Sequence, residues 1–186
     1  MIFRNTGLIA LFALSISGCY SALQLADDKE ELNIKKVGIF PFYNESGTLG
    51  AGKIVTNTFF AVLFKTATFK IEEKGNIELF LTRNKVRDVK KITLKQLNTL
   101  GESLGIDAVL TGTVEEFLGG EKRAGSMTPV VSIRARLTDA RTGKILWMAK
   151  HRKTGDDYIT IFNFGAVRSV NALARRVVAE VVKTIK

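Results

Sequence analysis

The stretch VVSIRARLTDARTGKILWMAKHRK, residues 130–153, predicts a β-hairpin. Its first half alternates strictly between an apolar and a polar face: Val131, Ile133, Ala135 and Leu137 against Ser132, Arg134, Arg136 and Thr138. The segment DARTG at 139–143 has the composition of a turn, and residues 144–152 return as the partner strand. Because strands joined by so short a turn pair antiparallel, the hairpin contributes an antiparallel part to a sheet.

The chain on either side of the hairpin shows further strand and helix patterns. These are strands at 37–42, 68–72 and 106–117 and helices at 50–65 and 167–185. Two more helices are expected before the third strand. Asn76 is the candidate N-cap of the first, and a capping box formed by Thr93 and Gln96 starts the second.

The predicted order of elements is β-α-β-α-α-β-β-β-α. Helices between the early strands imply crossover connections, whereas the late hairpin is antiparallel. The sequence therefore predicts an α/β fold: a single domain of two or three layers with a mixed sheet and a C-terminal helix. The length suits one full-sized domain with its own core, assigned here to residues 35–186.

The N-terminus predicts export and lipidation. Arg4 provides a positive start, an apolar run follows, and two small residues precede Cys19, the single cysteine of the chain. This arrangement resembles a bacterial lipobox, which implies a signal peptide at 1–18, acylation of Cys19 and a lipidated tether at 19–34. The alternative, an uncleaved anchor helix, is disfavoured because about ten apolar residues are too short to span a bilayer.

The residue after the cysteine bears on the destination of the protein. Tyr20 stands where an aspartate often signals retention at the inner membrane, so we expect anchoring to the outer membrane, with the domain on the periplasmic side. A single cysteine excludes an internal disulfide. Residues 20–34 reach about 50 Å when fully extended, which keeps the domain close to its membrane.

The charge of the chain indicates anionic partners. Removal of the signal peptide leaves 27 basic and 18 acidic residues. In an exported protein, lipid head groups, cell-wall polymers and acidic protein surfaces are the expected anions, and no nucleic acid is expected. Plain solubility is an equally strong explanation of the charge.

The segment GTLGAGKI, residues 47–54, is one residue away from a phosphate-binding P-loop. Gly47, Gly52 and Lys53 match, but Ile54 stands where the loop requires a serine or threonine to bind magnesium. Thr56 lies about 200° around the helix from the required direction. We therefore expect a strand-to-helix turn in place of a nucleotide site.

The other polar residues give only weak indications of a metal site or a catalytic site. His151 is the only histidine, and without a second ligand at a recognisable spacing it does not indicate a metal site. Asp156 and Asp157 form an acidic pair that is more typical of a solvated loop than of a catalytic site. We predict that the protein is not an enzyme and binds no cofactor or metal.

Protein binding is the remaining class of function. Basic clusters occupy residues 83–95 and 141–153, and an aromatic segment, YITIFNF, occupies 158–164. Arg134 and Arg136, on the polar face of the hairpin, are the candidate partner-binding residues. Each cluster is also compatible with an ordinary solvated or packed surface.

Three stretches carry a family resemblance: KKVGIFPFYNESGTLGAGKIVTN (35–57), LGIDAVLTGTVEEF (104–117) and VSIRARLTDARTGKILW (131–147). Together with the lipidated cysteine they resemble the CsgG-like superfamily of bacterial lipoproteins. That superfamily includes the curli secretion channel CsgG and the penicillin-binding-protein activator LpoB, and its domain is similar to the N-terminal domain of TolB. The resemblance implies a non-catalytic accessory or scaffold in envelope assembly or secretion, with possible homo-oligomers. The alternative is an LpoB-like activator of a peptidoglycan synthase.

The sequence departs from both named members. A CsgG-type channel needs extra membrane-crossing hairpins, and the loop at 118–129 is too short and polar to supply them. An LpoB-like activator carries a long proline-rich tether, but the two prolines of this chain, Pro41 and Pro129, lie outside the tether. We expect a compact, short-tethered protein that binds an envelope protein partner.

Overall fold

The computed structural model describes residues 34–119, 128–160 and 164–185. The predictions for the signal peptide, for Cys19, for the tether up to residue 33, for loop residues 120–127 and for residues 161–163 lie outside the described residues. The strands are β1 (Lys36–Ile39), β2 (Tyr43–Asn44), β3 (Lys70–Ile71), β4 (Ala108–Leu118), β5 (Val130–Asp139) and β6 (Ile145–Thr154). The helices are α1 (Ala51–Thr66), α2 (Lys74–Arg83), α3 (Leu94–Leu104) and α4 (Val170–Val182).

The strands form one mixed sheet. Its order is β3-β1-β4-β5-β6, and β2 pairs with β4 beyond the end of β1. Strands β1, β2 and β3 run parallel to their neighbours, whereas β4, β5 and β6 pair antiparallel. The predicted α/β fold and the predicted order of elements are therefore confirmed, with β2 as an additional strand.

Proline explains why the first strand is divided. The sequence predicts one strand over 37–42, but β1 ends at Ile39 and pairing resumes only at Tyr43. Pro41 lies between the two segments and has no N–H to donate to a ladder. The break does not disturb the core, because Phe40 and Phe42 on either side of the proline are both buried.

The hairpin forms as predicted. Strands β5 and β6 pair from Val130 with Thr154 to Thr138 with Ile145, with one irregularity near the turn. Asp139 holds the turn together, because its carboxylate accepts hydrogen bonds from the backbone N–H groups of Arg141 and Thr142. Gly143 has a φ of 73°, a left-handed conformation that favours glycine.

The helices cover the sheet unevenly. Helices α1 and α4 pack on one face along the sheet, over a core that includes Phe59, Val114, Ile133 and Val177. Helices α2 and α3 pack on the opposite face, but only near β1 and the start of β4, around a smaller core. The domain thus has three layers at one end and two at the other. The second face of β5 and β6 has no helix over it among the described residues.

One predicted helix cap is confirmed and one is wrong. Thr93 and Gln96 form the capping box at the start of α3. Helix α2, however, begins at Lys74 with Glu73 as its N-cap, so Asn76 lies inside the helix. The amide of Asn76 instead donates a hydrogen bond of 2.6 Å to the buried carboxylate of Glu72, which needs donors because it is removed from water.

None of the helices in the described part of the chain is both long and apolar enough to cross a membrane.

Candidate protein-binding face

The uncovered side of β4, β5 and β6 is the candidate functional site, and we call it the open face. It exists because the hairpin alternates, so its apolar side chains enter the core under α4 and its polar side chains point away from the helices. Its side chains are Thr111, Thr113, Glu115, Glu116, Ser132, Arg134, Arg136, Ile145, Met148, Lys150 and Arg152. Arg134 and Arg136, predicted from the sequence, therefore lie together on one surface.

A β-bulge places two neighbouring carboxylates on the open face. In a regular strand Glu115 and Glu116 would point to opposite sides. The register between β4 and β5 shifts between Val114 and Glu116, which leaves Glu115 as an extra residue. As a result, both carboxylates reach cations of the open face.

These carboxylates organise three of the four open-face cations. Glu115 forms ion pairs with Arg134 at 2.9 Å and with Lys150 at 2.8 Å, and it accepts a hydrogen bond of 2.9 Å from the hydroxyl of Ser132. Arg152 donates two hydrogen bonds, of 2.8 and 3.0 Å, to the two oxygens of Glu116. The hydrogen bond from Lys150 is the main reason that the pKa of Glu115 lies below its usual value; burial opposes that shift.

Replacing Glu115 with glutamine should therefore change the pH dependence of stability. We expect Glu115→Gln to lower the free energy of unfolding by about 1 kcal/mol at neutral pH, because charged hydrogen bonds are weakened. The stabilisation by the native carboxylate is fully present above its unfolded pKa, about 4.3, and is lost as the pH falls through the lower folded value. The difference between the two proteins should thus shrink in acid.

Urea denaturation at neutral and at acidic pH measures this difference. Glu102→Gln is the matched control, since Glu102 is exposed on α3 and contacts no cation among the described residues. Its effect should stay below about 0.5 kcal/mol at both pH values. A constant difference between Glu115→Gln and the native protein at all pH values would contradict the assigned role of the carboxylate.

Arg136 differs from its neighbours. Its Nε donates to the hydroxyl of Thr111 at 3.1 Å, and no carboxylate of the described residues lies within 4.0 Å of its guanidinium. It lies between two adjoining cavities of about 380 and 370 Å³, which share Thr111, Arg136 and Ile145 in their walls. Met148 lies opposite Arg136 on β6 and is exposed. The result is a groove with an available cation and apolar side chains next to it.

A loop forms the wall of this groove. The segment around Val89 and Lys90 lines the first cavity, and Ile92 and Leu94 line the second. Lys90 is held by Glu45 and lies over the ring of Tyr43, 3.6 Å from its centroid. One of the two predicted basic clusters, 83–95, therefore borders the open face, and the other, 141–153, runs along it.

The GTLGAGKI segment forms a turn into α1. Gly47 and Gly50 adopt positive φ angles of 73° and 79°. Gly52 packs so tightly that a Cβ atom there would lie 2.5 Å from the carbonyl oxygen of Phe42. Lys53 is exposed, and Ile54 packs against the core as its position in the helix predicts.

The hydroxyl of Thr56 forms two hydrogen bonds within the fold. It accepts a hydrogen bond of 2.9 Å from the backbone N–H of Phe42 and donates one of 2.7 Å to the carbonyl of Gly52. We expect Thr56→Val to lower the free energy of unfolding by about 1–3 kcal/mol, because it leaves the buried N–H of Phe42 without a partner. Thermal or urea denaturation measures the change.

The exposed lysine of the same segment provides the control. Lys53→Ala should change stability by less than about 0.5 kcal/mol. If Lys53→Ala were instead the more damaging substitution, the structural role assigned to this turn would be wrong.

The histidine and the two aspartates that the sequence offers as further candidates for chemistry contact other groups of the domain. His151 points away from the neighbouring cations towards α4, where its Nε2 lies 3.7 Å from the carboxylate of Glu180. Asp156 accepts from Thr128 and pairs with Arg168, and Asp157 caps the turn that follows β6. The described residues contain no group of three or more histidine, cysteine or acidic side chains arranged to hold a metal ion.

Sequence reasoning missed the carboxylates that organise the open face. It identified Arg134 and Arg136 from the alternation of β5, but not their relation to Glu115 and Glu116. The adjacent glutamates in an otherwise alternating strand were the available signal, since two charged neighbours cannot both avoid the core without a bulge. The basic cluster at 83–95 includes Lys90, but its place beside the sheet has no local signal, because tertiary packing brings that loop there.

Three solved bacterial structures show a fold similar to that of this chain. The PelC dodecamer from Paraburkholderia phytofirmans has a TM-score of 0.55 at 20% identity, covering 80% of this chain and 84% of that one. Lipoprotein GNA1162 from Neisseria meningitidis has a TM-score of 0.55 at 21% identity, covering 81% and 99%. The C-terminal domain of LpoB from Salmonella enterica has a TM-score of 0.50 at 13% identity, covering 64% and 82%. At these identities the likeness shows a shared fold.

The LpoB-like fold implied by the sequence resemblance is therefore confirmed, whereas the relation to the CsgG channel stays a prediction. No curated protein matches the sequence at a significant level. The sequence does match a family of lipoproteins, over residues 34–186, which include all the helices and strands described above. The chain belongs to the GNA1162-like lipoprotein family.

Proposed function

We propose that the protein is a non-catalytic, lipid-anchored envelope protein that binds a protein partner through the open face. The observation that carries this proposal is the groove around Arg136. It combines a guanidinium that lacks a carboxylate partner among the described residues with exposed apolar side chains at Ile145 and Met148. Arginine beside apolar surface is a composition typical of protein interfaces.

The surroundings of Arg136 favour an acidic surface on the partner. The open face carries four cations and two carboxylates, which leaves an excess of positive charge. Glu115 and Glu116 hold Arg134, Lys150 and Arg152 in place, so less side-chain entropy is lost when a partner binds. A rigid basic groove of this kind selects carboxylates on a complementary protein surface.

Activation of a peptidoglycan synthase is the leading candidate for the role of this binding. It is supported by the resemblance of the sequence to the LpoB group and by the LpoB-like fold. The short tether distinguishes this chain from LpoB itself, so the partner would have to present its binding site close to the membrane of the anchor.

Reconstitution with a purified bifunctional penicillin-binding protein of the same bacterium tests this role. The full lipoprotein should raise the rate of glycan polymerisation, and the double substitution Arg134→Glu and Arg136→Glu should remove most of the increase, about tenfold or more. Arg175→Glu is the matched control, because Arg175 is exposed on α4, which packs on the other face of the sheet.

Each result has a defined meaning. No stimulation by the native protein would contradict the activator hypothesis. Stimulation that survives the double substitution would contradict the open face as the binding surface. Equal loss in Arg175→Glu would show that net charge, and not the groove, determines binding.

A scaffold in envelope assembly or secretion is the second candidate. PelC, whose solved structure is a dodecamer, is the observation that favours it. Light scattering of the purified lipoprotein in detergent gives its mass. A defined ring-sized oligomer would support the scaffold, and a monomer at micromolar concentration would contradict it.

Lipidation of Cys19 is part of the proposal and has its own test. Cys19→Ser should abolish labelling by a fatty-acid probe and release the protein from membranes, with fractionation on a density gradient showing whether the native protein follows the outer membrane. Continued labelling of the variant would contradict acylation at this residue.

A further inference from the structure

The solvent-facing side of α1 carries aromatic residues where a surface helix normally carries polar ones. Residues Lys53, Asn57, Phe60, Ala61 and Phe64 follow helical spacing along this side, and we call them the outer α1 surface. The opposite side of the helix enters the core through Val55, Phe59 and Leu63. Helix α1 thus has an apolar strip on its outer side in addition to the apolar side that enters the core.

The two aromatic rings on the outer α1 surface support one another. Phe60 and Phe64 stack with their centroids 6.0 Å apart and their planes 12° from parallel. Phe60 is half-buried and packs against the core, whereas Phe64 is 73% exposed and presents its ring to solvent. In the described part of the chain no other element covers it.

The charges that α1 itself brings to this surface are positive. Helix α1 contains no acidic residue, and it carries Lys53 and Lys65 at its two ends. Lys74 reaches the same surface from α2, where its Nζ donates a hydrogen bond of 3.1 Å to the amide oxygen of Asn57 and pairs with Glu78 at 3.5 Å. An exposed phenylalanine ring flanked by lysines matches a helix that lies on a bilayer, where apolar side chains enter the boundary between head groups and acyl chains and lysines meet lipid phosphates.

We propose that the outer α1 surface lies against an anionic lipid bilayer and orients the domain on its membrane. This inference rests on the proposed lipidation of Cys19, because residues 20–34 hold the domain within about 50 Å of the anchor. A second copy of the chain is a poorer occupant. Two outer α1 surfaces in contact would oppose lysines to lysines, whereas phosphatidylglycerol supplies the complementary charge.

A fluorescent label at Ala61 tests the contact. Cys19 is the only cysteine and is expected to be acylated, so Ala61→Cys provides a single free thiol for a polarity-sensitive fluorophore while both phenylalanines remain. The labelled full-length lipoprotein is reconstituted into vesicles of phosphatidylethanolamine and phosphatidylglycerol, some containing spin-labelled lipid as a quencher. Thr99→Cys, an exposed position on α3, is the control.

We expect a blue-shifted emission and strong quenching for the label at position 61, and neither for the label at position 99. Adding Phe64→Ala should reduce the membrane-contacting fraction of the label about tenfold, because the exposed aromatic side chain no longer enters the interface. Replacing phosphatidylglycerol with phosphatidylcholine, or raising the salt to about 1 M, should reduce it as well.

Three results would overturn the inference. An unquenched label at position 61 on vesicle-bound protein would show that α1 faces away from the bilayer, while leaving lipidation and the open face intact. A blue shift that depends on protein concentration without vesicles would identify a second copy as the occupant. Protein that binds no vesicle at all would contradict both this contact and the anchor.

Discussion

Replacing Gly112 with valine is expected to lower the free energy of unfolding by about 3 kcal/mol or more, or to prevent folding. Gly112 lies in the middle of β4, where the ring of Phe42 lies directly against its backbone. A Cβ atom at this position would overlap that ring and would also lie 2.6 Å from the carbonyl oxygen of Arg134 on β5. Neither neighbour can move away, because one belongs to the core and the other to the sheet.

Gly75→Ala provides the control for this substitution. Gly75 lies in α2, and apart from its chain neighbours and the backbone of its own helix no atom lies within 4 Å of the Cβ that alanine would add. The change should therefore leave stability unaltered or raise it by up to about 1 kcal/mol, as alanine favours helix. Urea denaturation of both variants measures the contrast. Similar stabilities for Gly112→Val and the native protein would show that Phe42 is not held against the strand.

Replacing Phe59 with alanine is expected to lower the free energy of unfolding by about 3–5 kcal/mol. Its side chain is completely buried, and its ring stacks on Phe42 with the centroids 4.7 Å apart. The substitution removes apolar surface from the core between α1 and the sheet and leaves a cavity. The loss also removes support from Phe42, whose position over Gly112 depends on the same packing.

Phe64→Ala is the matched control, since it makes the same chemical change on the same helix at an exposed position. Its effect on stability should stay within about 0.5 kcal/mol. The same measurement also shows whether Phe64→Ala is suitable for membrane experiments, because a folded variant with altered lipid contact separates binding from stability. A large destabilisation by Phe64→Ala would mean that the outer α1 surface is part of the core.

The uneven covering of the sheet leaves the open face accessible and determines which loop borders it. Helices α2 and α3 protect the end of the sheet where β1 and the start of β4 lie, and they leave the hairpin free on that face. The same arrangement brings the loop of Lys90 to the border of the open face as a wall. A partner that binds Arg136 would therefore contact both the hairpin and this loop.

Two surfaces of the domain have different proposed partners. The open face lies on one side of the sheet, and α1 packs on the other side, so a membrane beneath α1 would leave Arg136 accessible. The two proposals are independent in their tests. Charge reversal at Arg134 and Arg136 should not change the lipid contact of α1. Loss of the Phe64 ring should not change the binding of a protein partner to the open face.

Much of the fold was predictable from local patterns. The alternation of residues 131–138 predicted the hairpin, and the capping box of Thr93 and Gln96 predicted the start of α3. The misplaced cap at Asn76 shows the limit of local reasoning. Its side chain instead donates a hydrogen bond to Glu72, a carboxylate whose burial depends on packing between distant segments.

The sequence by itself determined the order of the elements, the two faces of the hairpin and the position of Arg134 and Arg136 on its polar side. These follow from periodicity, because the direction of a side chain in a strand or helix depends on the residues near it in the chain. Only the tertiary structure decided that the polar side stays uncovered, that Glu115 and Glu116 share it through a bulge, and that Arg136 lacks a carboxylate partner among the described residues. Those features depend on which distant segments meet, and no local pattern specifies that.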